Sequence, residues 1–125
     1  MLKDILVLDT SNQIKKIEKF FKSNNFKNYD LTFDFDAIFS MMNYKDYKTI
    51  IVNPLGIAYN CLAAESPVDF ALEIVKELNK IKLPNTKLIC RTLSKYVDLK
   101  FEELLKSNLP QISSVSVGIE KFLML

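Results

Sequence analysis

Three stretches of the chain are short continuous apolar runs that end on polar residues: residues 4–9 (DILVLD), 47–53 (YKTIIVN) and 86–92 (TKLICRT). This texture belongs to strands covered on both faces. Two other stretches alternate strictly. In residues 29–36, Tyr29, Leu31, Phe33 and Phe35 alternate with Asp30, Thr32, Asp34 and Asp36. In residues 113–119, Val115, Val117 and Ile119 alternate with Ser114, Ser116 and Gly118. Period two with one polar face marks a half-exposed strand.

Between the strands the apolar spacing turns helical. Ile14, Ile17 and Phe21 recur behind Thr10 and Gln13, which read as a T-x-x-Q capping box, and SNN at 23–25 ends that helix. A short helix is predicted over AIFSMMN, with Met41 and Met42 filling gaps beside the sheet. Ser66 caps a further helix that has Pro67 in its first turn, Asp69 in the box and an apolar stripe of Val68, Ala71, Leu72, Val75 and Leu78. Val97, Phe101, Leu104 and Leu105 mark the last helix, which stops before Pro110. Residues 54–66 carry no clear pattern and are expected to form a long loop.

Strands alternating with helices imply a parallel sheet with right-handed crossovers. Placing the two half-exposed strands at the edges gives the order 2-1-3-4-5, a flavodoxin-like three-layer α/β sandwich in one domain over residues 1–125. In that order the crevice lies over the carboxyl ends of the first and third strands. Asp9 and Asn53 end those strands and are expected to be neighbours.

Composition narrows the chemistry. The 125 residues include no histidine and only two glycines, so imidazole triads, histidine metal sites and glycine-rich phosphate loops are excluded. The net charge is +2 and the lysines are scattered, which argues against nucleic acid as a partner. No apolar run approaches the roughly 18 residues that span a bilayer. The start, MLKDILVL, lacks the form of a secretory signal. Cys61 and Cys90 fit no zinc or redox spacing, and a cytoplasmic location is expected.

The chain resembles a receiver domain of the two-component response-regulator family. ILVLDT is similar to the first strand, which in receivers ends in an acidic pair that holds magnesium. TIIVNP is similar to the third, whose terminal Asp accepts a phosphoryl group. ALEIVKELNKIKLPNTKLICRT resembles the third helix and fourth strand, with Thr92 at the switch hydroxyl, and IEKF echoes the segment that carries the family's lysine, here Lys121. The resemblance implies a degenerate site at Asp9, Thr10, Asn53, Thr92 and Lys121. Thr10 replaces one acid of the pair and Asn53 replaces the phosphoacceptor. An amide is no nucleophile toward a phosphoryl donor, and removing carboxylates weakens a Mg²⁺ site. Asp9 is at most a weak cation ligand.

The expectation is therefore a non-catalytic, receiver-like regulatory or protein-interaction domain, without metal or cofactor. The tail FLML leaves no room for the full helix that closes the receiver fold. An exposed apolar area is expected in its place, and with it a protein partner or a homodimer. Two alternatives stand beside this reading. One is a small-ligand-binding protein using the crevice near Asp9 and Asn53. The other is a phosphocarrier or redox enzyme built on Cys61.

Each candidate residue also has a plainer reading. Asp9 can be a polar strand end bonded to backbone amides, Asn53 a pre-proline turn residue, and Thr10 and Thr92 helix caps. Cys61 has no basic neighbour in sequence to activate it, and Cys90 belongs to the core. Asp30, Asp34 and Asp36 are expected on one face of an edge strand, where they discourage aggregation.

Overall fold

The computed structural model describes residues 3–44, 47–61, 66–91 and 99–115. Strands β1 (Lys3–Leu8), β2 (Tyr29–Thr32), β3 (Tyr47–Val52) and β4 (Lys87–Arg91) form a parallel sheet in the order β2-β1-β3-β4. Next to β4 the short strand β5 (Ser113–Val115) pairs parallel, with Ile89 opposite Ser113 and Arg91 opposite Val115. The remainder of the strand predicted over 113–119 lies outside the described residues.

The helices are α1 (Ser11–Ser23), α2 (Phe35–Tyr44), α3 (Pro54–Tyr59), α4 (Pro67–Ile81) and α5 (Leu99–Asn108). Register and the two-residue period divide the sheet into two buried faces. Leu6, Ile50 and Leu88 stand in one row, and Leu8, Val52 and Cys90 in the next. This face packs against Ile38 of α2, Leu55 of α3, Ala71, Leu72, Ile74, Val75 and Leu78 of α4, and Phe101 and Leu105 of α5. The opposite face carries the row Val7, Ile51 and Ile89. It is covered by Ile14, Ile17 and Phe21 of α1, with Phe26 and Tyr29 packed on the Phe21 ring. Met41 and Met42 pack against the first face as gap-fillers.

Three expectations are corrected. The strand predicted over 29–36 stops at Thr32. Thr32 Oγ1 accepts from the Asp34 amide at 3.1 Å and Asp34 Oδ1 accepts from the Asp36 amide at 2.9 Å, a side-chain turn that opens α2 at Phe35. The acid row dissolves as a result. Asp30 alone stays in the strand, where it accepts from the Tyr47 hydroxyl at 2.7 Å, while Asp34 and Asp36 stand at a helix start. Residues 54–66 are not one long loop, because Asn53 and Pro54 begin the helix α3. Thr10 occupies the N-cap of α1, yet its side chain makes no capping bond, so the T-x-x-Q box is not formed.

The apolar area expected beside the tail concerns residues outside those described; on the α1 face, Ile51 and Ile89 are 1% and 5% exposed. Among the described residues the exposed large apolar side chains lie elsewhere: Phe33, Tyr59, Ile81 and Leu83.

Candidate functional site

At the carboxyl ends of the central strands the backbone ladders continue one bond further. The Asp9 amide donates to the Thr32 carbonyl at 3.2 Å, and the Asn53 amide donates to the Leu8 carbonyl at 3.0 Å. Asp9, Asn53 and Arg91 each lie two residues beyond Val7, Ile51 and Ile89. Period two therefore carries them onto the same side of the sheet as that row.

These three side chains are joined. Asn53 Nδ2 donates to Asp9 Oδ1 at 2.9 Å, and Arg91 Nη1 donates to Asp9 Oδ2 at 2.8 Å. The Thr10 amide is a third donor to the carboxylate, bonding Oδ1 at 2.7 Å. Arg91 reaches past β3 to do this, a span of two strand spacings, roughly 9–10 Å, that few side chains other than arginine and lysine bridge. Asp9, Asn53 and Arg91 are 1%, 1% and 3% exposed, so the ion pair is formed away from water. Burial pushes the Asp9 carboxyl above its ordinary value, and the bonds from Asn53, the Thr10 amide and Arg91 pull against that rise.

Asn53 has a second task. Its Oδ1 accepts from the Gly56 amide at 3.1 Å and caps α3, with Pro54 in the first turn. Gly56 leaves room for this. A Cβ there would strike Asn53 Nδ2 and lie 2.9 Å from its Cγ. Gly56→Ala is therefore expected to lower stability by about 1–2 kcal/mol despite alanine's better helix propensity. Urea unfolding measures this, and an unchanged midpoint would show that the Asn53 amide swings aside freely.

Above this floor lies a cavity of about 570 Å³. Its walls come from the start of α1 (Ser11, Asn12, Gln13), the β2–α2 turn with the first residues of α2, and α3 with Asn60 and Cys61. Phe33, Phe35, Ile57 and Phe70 supply the apolar surface.

The sequence candidates are thus distributed unevenly. Asp9, Thr10, Asn53 and Cys61 all line the cavity. Thr92 and Lys121 lie outside the described residues. Cys61 is half-buried, whereas Cys90 is buried in the core and its thiol is pushed up to about 12 by burial. Among the described residues no three of Cys, Asp and Glu come together in a way that could hold a metal. Arg91 escaped sequence reasoning because it sits at the end of a strand that reads as core. The available signal was its position two residues beyond Ile89, which puts it in register with Asp9 and Asn53.

The chain matches no protein-family model and no curated protein sequence. Among solved structures it is similar to a de novo designed Rossmann 2x3 fold protein, determined by solution NMR. The match has 15% identity and a TM-score of 0.62, over 99% of this chain and 90% of that one. The fold is Rossmann-like α/β. At this identity the likeness carries the fold alone, and activity has to be argued from the site. Among the described residues no helix is long and apolar enough to cross a membrane.

Proposed function

We propose that this chain is a receiver-like regulatory domain that does not take part in phosphotransfer and acts through contact with other proteins, in the cytoplasm. The finer architecture belongs to the same proposal: a flavodoxin-like sheet completed by a full fifth strand, with the closing helix short or missing.

The observation that supports it most is the occupation of Asp9. Both carboxylate oxygens are used, by the Asn53 amide, the Thr10 amide and the Arg91 guanidinium. Receiver chemistry requires a strand-end acid free to hold a divalent cation and a second carboxylate to attack phosphorus. Here the acid has an internal counter-ion, and the second position is an amide engaged in capping. Two roles that would otherwise call for a ligand are filled by the chain itself.

Incubation with acetyl phosphate and Mg²⁺, followed by intact-mass measurement, tests this. The expected result is no phosphoryl adduct, and no rise in the melting temperature with Mg²⁺ and beryllofluoride. A stoichiometric adduct would overturn the reading. Sedimentation over a range of concentrations tests the protein-contact part, for which self-association is the expected outcome.

A further inference from the structure

We infer that the cavity over Asp9 and Asn53 is a binding site for a small organic cation with a flat apolar body. Its place is where such sites arise in parallel α/β sheets. The chain leaves β1 towards β2 on one side and leaves β3 towards β4 on the other, so the connections part over the ends of β1 and β3 beneath the opening. A volume of about 570 Å³ falls in the range of small-molecule sites.

The class of ligand follows from the walls. Phe33, Phe35, Ile57 and Phe70 provide apolar surface, and Phe33 is 65% exposed at the mouth. An aromatic side chain left this open gains its burial only when something covers it. Asp34 and Asp36 face the same space from the start of α2, and both are exposed. No lysine or arginine is among the described residues that line it.

The charge of Asp9 is balanced by Arg91, so it adds little to the field of the cavity. The open start of α1 contributes about half a positive charge, less than the two carboxylates supply. Among the described residues the balance is negative. Phosphates, nucleotides and other anions are therefore disfavoured. An ammonium or amidinium group near Asp34 and Asp36, with its aromatic body against the phenylalanines, meets both the charge and the surface.

Three probes that share one ring system separate shape from charge: 2-naphthylmethylammonium, 2-naphthylmethanol and 2-naphthylacetate. Each is titrated into the full chain and followed by ¹H–¹⁵N correlation spectra. The ammonium is expected to saturate, with shifts concentrated at Asn12, Phe33, Ile57, Asn60 and Phe70. Its Kd should be at least about tenfold below that of the acetate. Phe33→Ala, at an exposed position, is expected to weaken all three probes. The double variant Asp34→Asn, Asp36→Asn keeps an oxygen to cap α2 and is expected to erase most of the preference for the cation.

Equal or tighter binding of the acetate overturns the ligand class. Shifts centred away from these residues, or no saturation by any probe, overturn the site itself. Neither result bears on the phosphoryl-acceptor test, because capture of a cation in the cavity requires no signalling chemistry.

Discussion

Replacing Arg91 with methionine is expected to destabilise the protein by about 3–5 kcal/mol, the usual range for stripping one partner from a buried ion pair. Methionine fills much of the same space and so isolates the charge. Asp9 is then left 1% exposed with two neutral donors and no cation. The loss should depend on pH. Asp9 already holds its proton more tightly in the folded state than in the unfolded one, and removing Arg91 raises its folded value further. A group raised in this way contributes stability that is present below its unfolded value, near 3.8, and lost as the pH rises through the folded value. The deficit should therefore be largest at neutral pH and shrink towards pH 4. Urea unfolding of the wild type, Arg91→Met, Asp9→Asn and the double variant measures it. The double variant is expected to recover much of the loss, since a site without either charge has nothing left to compensate. A single-variant loss below about 1 kcal/mol would mean that water reaches Asp9 after all.

Asn53→Asp carries the second large effect, and it explains why the chain has an amide between Asp9 and Arg91. Aspartate retains the oxygen that caps α3, so the bond to the Gly56 amide survives. The other atom changes from a donor to an acceptor, 2.9 Å from Asp9 Oδ1. Two carboxylates then share one guanidinium, and one of them is forced to keep its proton. The expected cost at pH 7 is roughly 1.5–3 kcal/mol, at about 1.4 kcal/mol per unit of forced shift. The sign again follows from a raised folded value: the cost is full at neutral pH and fades as the pH falls towards 4. Melting temperatures from pH 4 to 8 would reveal it. A variant as stable as the wild type at every pH would show that the row tolerates a second acid.

The elements differ in how clearly they could be read before folding. The apolar runs of β1, β3 and β4 and the capped helix α4 were legible because each pattern is local: unbroken apolar residues need cover on both faces, and Ser66 and Pro67 announce a first turn. The β2–α2 boundary was misread, since Tyr29 to Asp36 alternates in a way that suits a strand. The turn made by Thr32 and Asp34 decides otherwise by bonding backbone amides that a ladder would have used. For α3 the signal was present and ambiguous. Asn-Pro opens a turn or a helix equally well, and the buried bond from Gly56 selects the helix.

Hydrophobic periodicity, together with the crossover and edge rules of parallel sheets, was enough to specify most of the strand–helix alternation, the parallel order β2-β1-β3-β4 and the meeting of Asp9 with Asn53. Only the tertiary structure decided what that meeting does. The ion pair joins residues 82 positions apart, and its existence depends on register, on the reach of one side chain and on the exclusion of water, none of which a linear pattern encodes. A local sequence can state that a strand end is polar. Whether that polar group waits for a ligand or is already satisfied by the chain depends on which strands lie beside it.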